Sequence, residues 1–154
     1  MPQIPVDNNK SKRGSSMKKI LVTDAQGGGI GKQIVAELVK RNIPAEIVAV
    51  GTNATATSQM LKAGAAHGAT GENPVIVGCR DADYIVGPLG IVIADSMYGE
   101  ITPGMASAVG QSRAKKVFIP VTNCGNTVAG IRGANLKDYI EEAVVILQKQ
   151  FDED

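Results

Sequence analysis

A chain of 154 residues has the usual size of one domain and is long enough to bury a hydrophobic core without disulfides or metals. The formal net charge is +1 and aromatic residues make up only 3% of the chain, so neither a basic surface nor a set of stacking rings favours nucleic acid as a partner. Two isolated cysteines exclude a disulfide framework and a zinc finger, and no apolar run reaches the roughly 18 residues of a membrane span. We therefore expect a cytoplasmic protein with reduced thiols that does not contact a membrane.

Composition divides the chain into two segments. Residues 1–17 are polar, contain two prolines and lack hydrophobic periodicity, which predicts a disordered N-terminal tail. Residues 18–150 alternate short β-branched runs with amphipathic helical patterns, which predicts one α/β domain. Within it, strands are predicted at residues 20–23, 46–50, 84–87 and 116–121, and helices at 30–39, 53–63, from 102 onwards and at 136–147.

The stretch between residues 65 and 83 allows two interpretations. Val75 to Val77 could form the third strand, because two of these three residues are valines and the third is isoleucine. Alternatively, residues 67–70 form a short strand and residues 72–81 a helix over the sheet. We favour the second interpretation because it preserves the alternation of strands and helices.

Strict alternation implies a fold class: a small Rossmann-like, doubly wound parallel sheet with helices on both faces. Ligands of such sheets bind beyond the carboxyl ends of the strands, so the loops at that edge are the candidate site.

A glycine-rich loop runs from Asp24 to Gly31, directly after the first predicted strand and at the start of a helix. Glycines let phosphate oxygens approach main-chain N–H groups, and the helix N-terminus adds free donors and a positive dipole. The alternative is a tight turn that only packs the helix against the sheet. The residues that we expect to bind phosphate are Gly27, Gly28, Gly29, Ile30 and Gly31, with Lys32 adding positive charge.

The loop departs from two standard patterns. In the GxGxxG register, Gln26 stands where the first glycine belongs, while Gly28 and Gly31 fit. A Walker loop also fails at Gln26, and again at Gln33, which follows Lys32 where serine or threonine is needed. The chain therefore does not carry a standard ATPase loop.

The second predicted strand ends in Gly51-Thr52-Asn53, which we expect to face the ribose side of a ligand. Dinucleotide sites usually have a carboxylate here that binds the ribose hydroxyls. Because no carboxylate follows this strand, NAD is disfavoured, and NADP, a mononucleotide or another anionic ligand stays open. Capping of the next helix by Asn53 is the alternative role for that residue.

Two further strand ends supply candidate residues. Gly87 and Pro88 would lie beside the glycine loop as a rigid wall for the ligand, or form an ordinary turn. Asn123 and Cys124 follow the last strand, and a thiol near loop amides can have a lowered pKa and react. Cys79 and His67 instead fit structural roles, the cysteine in or near the core, and the histidine in a structural position or facing solvent.

The sequence resembles two known families. Gly29-Ile30-Gly31 resembles the cofactor loop of short-chain dehydrogenases, but the Tyr-x-x-x-Lys pair of that family is absent. A closer resemblance covers residues 18–149, where the strings DAQGGGIGKQIV, GTNATATSQMLKAGA and IVGPLGIVIADSMYGEITPGMA resemble a small bacterial family known only as a domain of unknown function. That resemblance implies a bacterial cytoplasmic protein and supplies no reaction.

Three functional hypotheses follow. The first is a nucleotide-binding domain over residues 18–150, for NAD(P), in particular a ligand of the NADP type, or for another phosphate-bearing small molecule. The second is a small enzyme with Cys124 as nucleophile or redox thiol. The third is a non-catalytic interaction protein with a purely structural glycine loop. The apolar run at residues 90–94 predicts either a buried helix or a subunit interface, and we expect a homodimer.

Overall fold

The computed structural model describes residues 17–121 and 125–154. Five parallel strands form one sheet in the order β3-β2-β1-β4-β5. The strands are β1 (Lys18–Asp24), β2 (Ala45–Gly51), β3 (His67–Thr70), β4 (Tyr84–Pro88) and β5 (Lys115–Ile119), and the helices are α1 (Gly29–Lys40), α2 (Ala54–Lys62), α3 (Glu72–Asp81), α4 (Pro103–Gln111) and α5 (Leu136–Glu153).

Both faces of the sheet are covered, because successive residues of the central strand β1 point to opposite sides. Ile20 and Val22 pack into a core formed with α1, α2 and α5. Leu21 packs into a second core formed with α3 and α4. The predicted fold class, a Rossmann-like parallel sheet with helices on both faces, is therefore confirmed.

The ambiguous stretch adopts the second of the two predicted arrangements. His67–Thr70 is a strand at the edge of the sheet, paired with β2, and Glu72–Asp81 is a helix. Val75 is fully buried on the inner side of that helix, and its β-branched neighbours Ile76 and Val77 belong to the same helix. The apolar run after β4 begins as a short 3₁₀ helix, Leu89–Val92, in which Gly90 and Ile91 are buried.

Two sequence predictions concern the ends of elements. β5 ends at Ile119, two residues before its predicted end. Pro120 follows it and has no N–H for a sheet hydrogen bond.

The predicted disordered tail, apart from Met17, lies outside the described residues. No helix among the described residues is long and apolar enough to cross a membrane.

Adjacent residues of α1 test the orientation of that helix on the sheet. Leu38 is fully buried, whereas Val39 is 42% exposed. We expect Leu38→Ala to lower the free energy of unfolding by about 2–5 kcal/mol, because it removes buried methyl groups and leaves a cavity. Val39→Ala should change that free energy by about 0.5 kcal/mol or less. Urea denaturation of both variants measures the difference, and equal losses would contradict the helix orientation.

Candidate functional site

A cavity of about 510 Å³ opens at the carboxyl ends of β1 and β4, which pair directly in the sheet. Its volume falls in the range of small-molecule sites. From β1 the chain adds β2 and β3 on one side of the sheet and then β4 and β5 on the other. The boundary between β1 and β4 is therefore the switch point at which open α/β sheets bind their ligands. The cavity is lined by Asp24, Ala25, Gln26, Gly27, Gly28, Gly29, Ile30, Gln33, Pro88, Gly90, Ser96, Met97, Tyr98, Val121 and Leu136.

Asp24, the last residue of β1, holds the glycine loop together. Its side chain is buried, and its carboxylate accepts the N–H of Ala25 at 2.8 Å and the N–H of Gly31 at 2.6 Å. Burial raises the pKa of this carboxyl above its usual value, although both hydrogen bonds oppose the rise, and the negative charge of Glu100 adds to it. One side chain thus joins the two ends of the loop.

Two backbone donors of the loop point to no acceptor among the described residues. The N–H of Gln26 donates to Glu100 and the N–H of Gly28 donates to the carbonyl of Ala25. The N–H groups of Gly27 and Gly29 have no such partner in the part of the chain that the structure describes. Gly29 is also the first residue of α1, where the helix dipole favours negative charge.

Packing explains two of the loop glycines and not the other two. A Cβ atom on Gly28, whose φ is +74°, would lie 2.7 Å from the Cα of Ala56, and a Cβ on Gly31 would lie 2.6 Å from the sulfur of Met60. A Cβ on Gly27 or Gly29 would meet no atom of the described residues within 4 Å. The first pair therefore fits the loop against α2, whereas the second pair borders open space in the cavity.

At the end of β2, Thr52 and Asn53 contact a carboxylate from another part of the chain, and Asn53 has the capping role predicted as its alternative. The hydroxyl of Thr52 and the side-chain Nδ2 of Asn53 both donate to Oε1 of Glu100, each at 2.8 Å. The backbone N–H of Gln26 donates to the same oxygen at 3.1 Å. Burial raises the pKa of Glu100, but the hydrogen bonds from Asn53, Thr52 and Gln26 outweigh it, so the pKa is lowered overall. Asn53 also caps α2, because its Oδ1 accepts the N–H of Ala56 at 2.9 Å.

Glu100 belongs to a loop of residues 93–101, here called the capping loop. The N–H of Asp95 donates to the carbonyl of Ile101 at 2.8 Å, and the buried hydroxyl of Ser96 donates to the carbonyl of Gly90 at 2.5 Å. Three residues of this loop, Asp95, Met97 and Tyr98, have positive φ, a backbone conformation that residues other than glycine rarely adopt. Tyr98 lines the cavity and is 99% exposed.

The structure brings some of the predicted site residues together. Asn123 and the candidate nucleophile Cys124 lie outside the described residues, so their assignment stays a prediction. Gly27, Gly28, Gly29, Ile30 and Pro88 line the cavity.

The remaining predicted residues within the described part of the chain do not line the cavity. The N–H of Gly31 donates to Asp24, and Lys32 is exposed on α1. Gly51 and Gly87 are buried where a Cβ atom would collide with Thr57 and with the carbonyl of Thr23. Thr52 and Asn53 face Glu100.

Sequence reasoning missed the two carboxylates that organise the site. Asp24 had a usable signal, because it directly follows a buried strand and precedes the loop amides. Glu100 had none, since it lies 48 residues from Thr52 and their contact depends on the path of the capping loop.

Two other side chains have the predicted structural positions. Cys79 is buried in the second core, and burial raises its pKa to about 11, although the positive charge of Lys116 opposes this. His67 is exposed, with its Nε2 3.5 Å from the Glu46 carboxylate. Among the described residues, no group of three or more His, Cys, Asp or Glu side chains could hold a metal ion.

The buried carboxylate of Asp24 makes a first prediction about the site. We expect Asp24→Ala to lower the free energy of unfolding by about 1–3 kcal/mol, because the N–H groups of Ala25 and Gly31 lose their acceptor. The exposed Asp81 at the end of α3 provides the control, and Asp81→Ala should cost about 0.5 kcal/mol or less. Urea denaturation at pH 7 measures both values. An Asp24→Ala variant as stable as the wild type would show that these hydrogen bonds do not hold the loop.

The loop glycines make a second prediction. Gly28→Ala should lower the free energy of unfolding by about 2–4 kcal/mol, through its positive φ and its collision with α2. Gly27→Ala should cost about 0.5 kcal/mol or less, since its Cβ would enter open space. Thermal unfolding of the two variants checks this, and a reversed order would mean that the loop packs differently against α2.

No curated protein matches the sequence of this chain. Among solved structures, the chain is similar to a nucleoside-diphosphate-sugar epimerase from Pseudomonas aeruginosa, with 13% identity and a TM-score of 0.46 over 88% of this chain. The chain spans about half the length of that protein, 47% of which is covered. The model of a family described as Domain of unknown function (DUF3842) matches residues 19–152, and this chain therefore belongs to that family.

Proposed function

We propose that this protein binds a nucleotide, or a related small molecule that carries a phosphate, in the cavity at the glycine loop. One observation carries the proposal: the N–H groups of Gly27 and Gly29 have no acceptor among the described residues, and both residues line a cavity of about 510 Å³. Two donors beside the N-terminus of α1 suit a phosphate, because the aligned peptide dipoles of a helix place about half a positive charge there.

The charges around the loop limit where the phosphate can bind. Asp24 and Glu100 both accept N–H groups of the loop, and neither forms an ion pair with a described cation. A phosphate close to either carboxylate would be repelled, so it binds at Gly27 and Gly29 on the open side. Hydroxyl groups of the ligand, which are donors, suit the carboxylate of Asp24 instead.

The rest of the cavity suits a planar ring. Met97, Val121 and Leu136 provide apolar wall, and Tyr98 provides an exposed aromatic ring at the rim. Aromatic rings stack favourably on flat partners, and apolar walls with a few polar groups are typical of small-molecule sites. A phosphate, hydroxyls and a planar ring are the parts of a nucleotide. The candidate ligands therefore include NAD(P).

A thermal-shift panel tests the proposal with NAD(H), NADP(H), ATP, ADP, AMP and FAD. A ligand present at 100 times its dissociation constant stabilises the folded state by roughly 2.7 kcal/mol. In a domain of this size that energy corresponds to a shift of several degrees, at about 2–4 °C per kcal/mol.

Gly29→Val and Gly133→Val form a matched pair for this test. A Cβ added at either glycine would meet no atom within 4 Å in residues 17–121 and 125–154, so both variants should fold, but only Gly29 of this pair lines the cavity. We expect Gly29→Val to abolish the shift and Gly133→Val to preserve it. A protein that melts cooperatively and shifts with none of the nucleotides would contradict nucleotide binding and favour the interaction-protein hypothesis.

A further inference from the structure

We propose that Glu100 fills a second oxyanion subsite at the end of β2 and thereby restricts the ligand to a single nucleotide. The identity of the ligand rests on the proposed function, whereas the subsite itself rests only on the contacts of Glu100.

Three donors from separate positions converge on one oxygen atom. They are the N–H of Gln26, the hydroxyl of Thr52 and the side-chain amide of Asn53, at 3.1, 2.8 and 2.8 Å from Oε1 of Glu100. A cluster of donors around one oxygen is the usual recognition chemistry of a carboxylate or phosphate. The capping loop thus brings the protein's own carboxylate to a place built for an anion.

This chemistry is the opposite of the usual dinucleotide arrangement. Dinucleotide sites have an acceptor at the end of the second strand, a carboxylate that binds the two ribose hydroxyls. Here Thr52 and Asn53 use their donor groups at that place. Once Glu100 is displaced, the subsite would therefore bind an oxyanion, such as a phosphate on the ribose, in preference to free ribose hydroxyls.

The cavity and the subsite lie on different sides of the glycine loop. The cavity wall includes residues that follow β4 and β5, whereas Thr52, Asn53 and Glu100 do not line it. One nucleotide can bind in the cavity with its phosphate at Gly27 and Gly29. The second nucleotide of a dinucleotide would extend toward β2, where it must first displace Glu100 and break its three hydrogen bonds.

The capping loop is built to hold Glu100 in this position. Three residues other than glycine have positive φ in the six positions before Glu100. Such strained conformations persist only where surrounding contacts fix them, and they concentrate at ligand sites. In this loop the fixing contacts include the hydrogen bond from Ser96 to Gly90, the hydrogen bond from Asp95 to Ile101 and the contacts of Glu100.

Calorimetric titration of the wild type and Glu100→Ala tests the restriction, with AMP and nicotinamide mononucleotide compared against NAD⁺ and NADP⁺. The wild type should bind one of the mononucleotides at least about tenfold more tightly than either dinucleotide, because the dinucleotide must break the Glu100 hydrogen bonds. Glu100→Ala should strengthen dinucleotide binding about tenfold or more, most for NADP⁺, and leave mononucleotide binding within about threefold. Glu142→Ala, an exposed glutamate on α5, should change neither. Tighter binding of a dinucleotide by the wild type, or unchanged or weaker dinucleotide binding by Glu100→Ala, would overturn the restriction.

Inorganic phosphate tests the subsite without any nucleotide. We expect phosphate to raise the melting temperature of Glu100→Ala more than that of the wild type, and Asn53→Ala in the same background to remove the gain. No gain would overturn the subsite even if nucleotides bind to the wild type. A gain in a protein that binds no nucleotide would support the subsite and contradict the proposed function. If Glu100→Ala does not fold, Glu100→Gln should give a smaller gain in the same direction, because it removes the charge and keeps an acceptor, and no gain from it would equally overturn the subsite.

Discussion

The buried carboxylate of Asp24 is the interaction on which the candidate site depends. By accepting the N–H groups of both Ala25 and Gly31, it fixes the two ends of the glycine loop at the point where β1 gives way to α1. Gly27 and Gly29 of this loop line the cavity, and their N–H groups have no acceptor among the described residues. The cost of this arrangement is a desolvated carboxyl, whose pKa is raised by burial.

Glu100 is a second carboxylate that contacts the same loop. It joins the loop to the end of β2 through Gln26, Thr52 and Asn53. The loop differs from the usual anion site, because much of its donor capacity is already used within the protein. This limited capacity is why we favour a ligand with one phosphate group at the loop over a fully extended dinucleotide.

The sheet topology decides which parts of the chain share the cavity. Residues around 24–33, 88–98, 121 and 136 are distant in sequence, yet all of them line it. They meet because β1 pairs with β4 and β4 pairs with β5, so that the carboxyl ends of these three strands lie side by side. The end of β2 lies on the opposite side of β1 and remains outside the cavity.

The sequence by itself determined the α/β class and most of the elements, because burial on a sheet or under a helix imposes a periodicity that can be read locally. It also identified the glycine loop, and the helix start at Thr102, from turn and cap residues whose chemistry acts over three or four positions. Only the tertiary structure decided which donors near the loop are already used within the protein: the N–H of Gly31 donates to Asp24, and the side chains of Thr52 and Asn53 donate to Glu100. Those hydrogen bonds join residues from 7 to 48 positions apart, and the path of the chain between such residues depends on packing that no local pattern records.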